Sequence, residues 1–119
     1  MALRIEGTRV TVCLPVNTPT ETSTAGDVVR MLVRRYRGAT ASLLNAPVFV
    51  GSWEAGDGNV VLDNVALVIV DVRDRGLDDD TFLAELEELK GFVFERYGDA
   101  GSPQAEVWLI APPISILIG

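Results

Sequence analysis

Histidine is absent from this chain of 119 residues, and cysteine occurs once, at Cys13. A Ser-His-Asp triad, a Cys-His dyad and a Cys/His zinc site all need residues that the chain lacks, so these classes of site are excluded. A single thiol also excludes a disulfide within the chain. We expect no cofactor, and the sequence leaves open whether the protein is an enzyme.

Long apolar runs are missing as well. The sequence has no stretch of about 18 uninterrupted apolar residues, so we expect no membrane-spanning helix and no membrane partner. Near the start of the chain, Glu6 falls where a secretory signal would need an apolar run. The expectation is therefore one domain over residues 1–119, located in the cytoplasm.

Basic residues are few: Lys and Arg number 10 against 17 Asp and Glu, which gives a formal net charge of -7. A protein with a negative net charge repels the negatively charged phosphate backbone, so nucleic-acid binding is disfavoured. Hydrophobic residues make up 48% of the chain, and a domain of this length can bury a core without metal or disulfide support.

Periodicity in the first third of the chain predicts a strand and then a helix. Apolar residues alternate over residues 8–16, which is typical of a strand with one buried face. Thr24, followed three residues later by Asp27, resembles a helix start. We therefore predict a helix over residues 25–37 that is stopped by Gly38.

The remaining elements follow from turn signals and a second helical stripe. Residues 39–44 and 47–54 favour strands, and residues 56–59 form a dense turn signal before a long apolar strand over residues 60–72. Three acids, Asp78 to Asp80, favour the start of a helix that ends at Gly98. Strands are predicted over residues 105–111 and 114–118. The predicted buried stripe of the second helix is Phe82, Leu86, Leu89, Val93 and Tyr97.

The predicted order is strand, helix, two or three strands, helix, strand, with one further strand at the end. This order matches the split βαβ, or ferredoxin-like, arrangement of the α+β class. Such a fold has an antiparallel sheet with both helices on one face, here with an extra C-terminal strand. A doubly wound fold is less compatible, because the central hairpin interrupts the alternation of strands and helices.

A loose set of motifs supports the same fold. The segment 35–40, the Gly51-Ser52-Trp53 tripeptide, the segment 58–64 and the helix end at 94–98 resemble small bacterial α+β proteins of unknown function with a Gly-x-Trp hairpin. The resemblance covers about residues 8–111 and implies a fold, not an activity.

Exposed apolar segments favour self-association as the leading hypothesis. The final strand holds four large aliphatic residues in five positions and would be an aggregation hazard on an open edge, so it must pair within the chain or with another chain. We expect a non-enzymatic homo-oligomer, with a dimer favoured, whose subunits meet through the open sheet face or the apolar terminal strand. The candidate interaction residues are Arg30, Arg34, Arg37, Phe92, Phe94, Ile114, Ile116 and Ile118.

The arginine row of the first helix has two interpretations. Residues 24–38 carry a net charge of about +3 and residues 78–99 about -6, so the favoured interpretation is complementary pairing between neighbouring helices. The alternative is that Arg30, Arg34 and Arg37 contact an acidic partner or, as a weaker hypothesis, nucleic acid.

The second hypothesis is a small enzyme or a ligand-binding protein of the dimeric α+β barrel type. Its pocket would be lined by Trp53, Glu54, Asp63 and Asn64, near the predicted hairpin. The sequence does not identify the ligand. Consecutive acids at a helix start diverge, so helix capping is favoured over a metal site at residues 78–80. Cys13 is predicted to be a structural thiol.

Overall fold

The computed structural model of the chain describes residues 3–42 and 49–119, and within them it has six strands and two helices. In chain order these are β1 (Leu3–Pro15), α1 (Pro19–Tyr36), β2 (Thr40–Ala41), β3 (Phe49–Glu54), β4 (Val60–Arg73), α2 (Asp80–Asp99), β5 (Leu109–Ile110) and β6 (Pro113–Ile118). Two strands were predicted over residues 39–44 and 47–54, and their residues 43, 44, 47 and 48 lie outside the described residues.

All strand pairs in the sheet are antiparallel. Its order is β2-β4-β1-β5, with β3 paired to the first half of β4 and β6 paired to the first half of β1. The central pair joins Gly7 to Arg73 at one end and Pro15 to Val65 at the other. The predicted long central strand is confirmed as β4, and the predicted hairpin is the β3–β4 turn.

Both helices pack on the same face of the sheet. Alternate residues of β1 from Val10 to Val16 and of β4 from Ala66 to Val72 are buried against the apolar sides of α1 and α2. This arrangement confirms the predicted ferredoxin-like α+β fold with two helices on one face and a strand added at the C-terminus.

The helix α2 follows its sequence pattern closely. All five residues of the predicted stripe, from Phe82 to Tyr97, are buried. The Asp79 carboxylate accepts hydrogen bonds from the backbone N–H groups of Thr81 and Phe82, at 2.9 and 3.2 Å, and so caps the helix. Of the three predicted acids, Asp79 is therefore the one that caps the helix.

The start of α1 lies almost two turns before the predicted one, so the expectation of a cap at Thr24 was wrong. The helix begins at Pro19, and the Thr18 hydroxyl accepts the backbone N–H of Glu21 at 3.1 Å. The Glu21 carboxylate in turn accepts the backbone N–H of Asn17 at 2.8 Å. This reciprocal pair is a capping box in which the acid reaches one residue further back than usual.

The end of α1 also differs in detail. The helix ends at Tyr36, one residue before the predicted end, and the residue that closes it is Arg37, in the left-handed conformation with φ of 66°, and not the predicted Gly38. The backbone N–H of Arg37 donates to the Val33 carbonyl at 2.7 Å, which satisfies one of the last free carbonyls of the helix.

Two predicted strands differ from those observed because their partners are distant in sequence. β1 begins at Leu3 and not at residue 8, since its first residues pair with β6 from the other end of the chain. The predicted strand over residues 105–111 reduces to Leu109–Ile110, because only these residues form regular pairs with β1.

Candidate interaction surface

The sheet has a second face that carries no helix in the described part of the chain. Residues of β1 and β4 that alternate with the buried core residues lie on this side, and cross-strand pairing places alternate residues of β5 and β6 beside them. We call this side the open face. Its apolar members include Ile5, Cys13, Leu67, Ile69, Trp108, Ile110, Ile114, Ile116 and Ile118.

The middle of the open face is only partly covered by neighbouring side chains. Ile110, which pairs with Thr11, is 48% exposed, and Trp108 is 62% exposed. Leu109, between them, packs against the core instead. Cys13 is half-buried and unpaired, and burial raises the pKa of its thiol. The thiol is therefore a weak nucleophile at neutral pH. Because it lies on the open face, its rate of chemical labelling measures how accessible that face is.

One ion pair crosses the open face. Arg9 and Asp71 are directly opposite in the β1–β4 register. The Arg9 Nε and Nη2 atoms donate to the two Asp71 carboxylate oxygens at 2.8 and 3.0 Å. Hydrogen bonding from this guanidinium lowers the pKa of Asp71 below its usual value. The pair is thus bidentate, with two parallel hydrogen bonds.

The apolar terminal strand pairs within its own chain. β6 lies antiparallel to β1, with Ile116 opposite Ile5 and Ile114 opposite Gly7. Ile114 and Ile116 are half-buried, and Ile118 is 37% exposed. The sequence left open whether this strand pairs within or between chains, and the fold gives it a partner on one edge. Its outer edge has no strand partner among the described residues.

The β3–β4 hairpin extends beyond the helices, and we call residues 49–64 the hairpin arm. β1 pairs with β4 only from Val65 onward, so the first part of β4 has β3 as its strand partner. Val50, Val60 and Leu62 lie on one side of the arm and are 62%, 69% and 66% exposed. The arm therefore presents three large aliphatic side chains to solvent.

The four residues of the predicted ligand pocket lie on this arm, and two of them, Glu54 and Asp63, are separated by the sheet. The pairing of β3 with β4 puts Glu54 opposite Val60 and Asp63 opposite Gly51, so Glu54 and Asp63 lie on opposite sides of the hairpin. The Asp63 carboxylate accepts the Asn17 side-chain amide at 3.1 Å. The ligand-binding role of Trp53, Glu54, Asp63 and Asn64 stays a prediction.

The two helices exchange ion pairs at both ends of their contact. Arg35 donates to Glu85 at 3.0 Å and to Glu88 at 3.2 Å, and Arg96 pairs with Asp27. These contacts are the complementary pairing that was favoured from the helix charges. Exposed pairs of this kind add only about 0 to 1 kcal/mol each.

The predicted interaction residues of the helices have separate environments. Arg30, Arg34 and Arg37 are all exposed, and Arg30 forms an ion pair with Asp27 on its own helix. Phe92 packs against the core, and Phe94 is 38% exposed. None of these side chains lies on the open face. Their role in a partner contact stays a prediction.

A shallow groove of about 520 Å³ separates the start of α1 from the end of α2. Hydroxyl, carboxylate and guanidinium groups line it, but its Arg96 is already paired with Asp27. Elsewhere, no three His, Cys, Asp or Glu side chains within residues 3–42 and 49–119 gather closely enough to hold a metal ion. Neither described helix has the length and apolar content needed to cross a membrane.

The fold is shared with solved structures of low sequence identity. The chain is similar to the divalent cation tolerance protein Cut A1 from Thermus thermophilus, with 19% identity and a TM-score of 0.54 over 92% of this chain and 84% of that chain. It is also similar to CutA from Synechococcus elongatus, with 11% identity and a TM-score of 0.59 over 98% and 85%.

CutA from Xylella fastidiosa gives 14% identity and a TM-score of 0.55 over 88% of this chain and 80% of that chain. At these identities the likeness concerns the fold. No protein-family model matches the chain, and no curated protein matches it in sequence. The shared fold is a small ferredoxin-like α+β fold, while membership in a Gly-x-Trp family stays a prediction.

Proposed function

We propose that this protein is a self-associating α+β module, and that the open face of its sheet is covered by a second copy of the same chain. The observation that carries the proposal is the apolar open face itself. Monomeric proteins rarely leave apolar patches larger than a few hundred square ångströms in contact with water. A partner that covers Trp108, Ile110 and their neighbours removes that surface from solvent.

The distribution of charge favours a second copy as the partner. The chain carries a net charge of -7, with eight acids in residues 78–99 on the helical side. By contrast, over the length in which β1 and β4 pair, the charged residues on the open face are Arg9, Asp71 and Arg73. Two strongly negative copies repel least when they meet through a surface that has no excess of acids.

The hairpin arm and the outer edge of β6 support the same proposal. The outer edges of β3 and β6 have no strand partner within residues 3–42 and 49–119, and both elements carry exposed aliphatic side chains. Strand edges with apolar side chains pair readily with another chain. A second copy on the open face comes close to these backbone edges, whereas the exposed Val50, Val60 and Leu62 lie on the other side of the sheet, in phase with the buried Ala66 and Val68.

Sedimentation velocity at increasing protein concentration tests the proposal. We expect an oligomer of the wild-type chain, and its mass gives the number of copies, for which a dimer is the sequence-based prediction. The substitution Ile110→Lys places a charge on the open face and should weaken association by roughly tenfold or more, because the interface would bury an unpaired cation.

The matched control is Val33→Lys on α1. Val33 is 42% exposed and Ile110 is 48% exposed, so both changes replace a half-exposed aliphatic residue, but on opposite sides of the molecule. We expect Val33→Lys to leave the association constant unchanged. A monomeric wild-type chain at all concentrations, or equal effects of the two substitutions, would contradict the proposal.

The single cysteine offers an independent measurement. We expect the rate at which N-ethylmaleimide labels Cys13 to fall as protein concentration rises, because a second copy covers the open face. In the control protein, Cys13→Ser combined with Ser23→Cys moves the thiol to an exposed position on α1. Labelling of that thiol should not depend on protein concentration.

A further inference from the structure

The Arg9–Asp71 pair lies on the open face between a largely apolar part of the sheet and its charged end. Along the two strands its neighbours are Thr11 and Ile69 on one side, which are both half-buried, and Gly7 and the exposed Arg73 on the other. The backbone N–H of Arg9 donates to the Pro112 carbonyl at 3.0 Å, so the pair also borders the junction of β5 and β6. The side chains are 48% and 34% exposed. Cover by a second copy would therefore bury both charges together.

Burial affects a matched pair and a single charge differently. A carboxylate that already accepts two hydrogen bonds from one guanidinium needs few new partners when water is removed. A single charge left by substitution of its partner has no such compensation in an apolar interface. An ion pair among apolar side chains also penalises every arrangement of two sheets that places an aliphatic residue over the charges.

We propose that the Arg9–Asp71 ion pair sets the register in which two copies of the chain meet. This inference rests on the proposed function, because it requires the open face to be the interface. The pair is a specificity-determining element: the apolar residues around it supply most of the attraction, and the pair excludes shifted arrangements. Association through the open face is then expected to give one defined oligomer.

Three variants separate the contribution of the pair from that of each charge. Arg9→Met and Asp71→Leu each leave one unpaired charge, and each should weaken association by roughly 30-fold or more, as measured by sedimentation equilibrium. The double variant R9M/D71L removes both charges of the pair, and Arg73 at the end of the open face is the same in all variants. It should associate at least as tightly as the wild type but sediment as a mixture of species, because the register is no longer fixed.

The Arg4–Glu6 pair provides the matched control. Its members lie on β1 as well, but on the other side of the strand, and they are 68% and 64% exposed. The variants Arg4→Met and Glu6→Leu should leave both the association constant and the number of species unchanged. Circular dichroism of every variant checks that the fold is retained, and a variant that unfolds is replaced by Arg9→Gln or Asp71→Asn.

The outcomes separate the inference from the proposed function. A monomeric wild type would overturn both. An oligomeric wild type in which the single substitutions at Arg9 and Asp71 have no effect, or have effects that simply add in the double variant, would overturn the inference alone. A double variant that still forms one defined oligomer would show that the pair does not set the register, and would overturn it too.

Discussion

At the scale of single residues, Gly7 is fixed by a close approach of two strands. A Cβ atom at this position would lie 2.3 Å from the Val72 carbonyl oxygen, which belongs to the backbone of β4 and cannot rotate away. The absence of a side chain at Gly7 therefore allows β1 and β4 to stay paired as far as Gly7 and Arg73, the last pair of the two strands. This constraint was not predicted from the sequence, because the contact joins residues that are far apart in the chain.

We expect Gly7→Ala to lower the free energy of unfolding by about 1 to 3 kcal/mol, because the strands must separate to admit the methyl group. Urea denaturation measures the change. Gly91→Ala is the control: Gly91 lies inside α2 and a Cβ there meets no atom within 4 Å. That substitution should raise stability by about 0.5 to 1 kcal/mol. Equal effects at the two positions would contradict the steric explanation.

Tyr97 links the end of α2 to the end of β1. Its hydroxyl donates to the Pro15 carbonyl at 2.8 Å, and its side chain is fully buried. Burial, and to a lesser extent the negative charge of Glu21, raise the pKa of this phenol above the 10.0 of an ordinary tyrosine. The folded chain therefore holds the proton more tightly than the unfolded chain.

The sign of the pH dependence follows. The contribution of the protonated Tyr97 phenol to the free energy of unfolding is complete below about pH 10, where the phenol is protonated in the unfolded chain as well. This contribution is lost as the pH rises above that value. We expect Tyr97→Phe to cost about 1 kcal/mol at neutral pH and to reduce the loss of stability in alkali. Urea denaturation at pH 7 and pH 11 tests this, and Tyr36, present in both proteins, cancels in the difference.

At the scale of elements, the first two turns of α1 depend on side chains that bond to the backbone. Thr18 caps the helix, and Glu21 bonds both the backbone of Asn17 and the hydroxyl of Ser102. Glu21 is buried although it is an acid. It thereby ties the segment after α2 to the start of α1, a role that an amphipathic pattern does not reveal.

We expect Thr18→Ala to lower stability by about 1 kcal/mol, because the backbone N–H of Glu21 loses its acceptor. Thr18→Ser should keep most of that stability, since the hydroxyl is retained. Ser23→Ala, an exposed change within the helix, is the control and should be nearly neutral. Thermal unfolding measures all three variants. A larger effect at Ser23 than at Thr18 would indicate that the helix starts later.

The accuracy of the element predictions depended on what holds each element together. The stripe of α2 was predicted residue by residue because burial on a sheet imposes a helical period on the sequence. The start of α1 was missed because its first turns are polar. The first residues of β1 were missed because their partner, β6, lies at the other end of the chain.

At the scale of the whole molecule, charge and apolar surface are separated on opposite sides. The acids of α2 lie on the helical side, whereas the open face of the sheet body is almost neutral and rich in Ile and Leu. The sequence predicted self-association through the open sheet face or the apolar terminal strand. In the structure these two surfaces are continuous, because β6 is paired within the chain and contributes its apolar residues to the open face.

The amino-acid sequence by itself determined the fold class, the order of the elements and the buried side of α2, since these follow from local periodicity, turns and caps. Only the tertiary structure decided which side chains share the open face. That surface combines strands from both ends and the middle of the chain, and Arg9 pairs with Asp71 at a sequence separation of 62 positions. Strand register, which local patterns do not encode, sets those contacts.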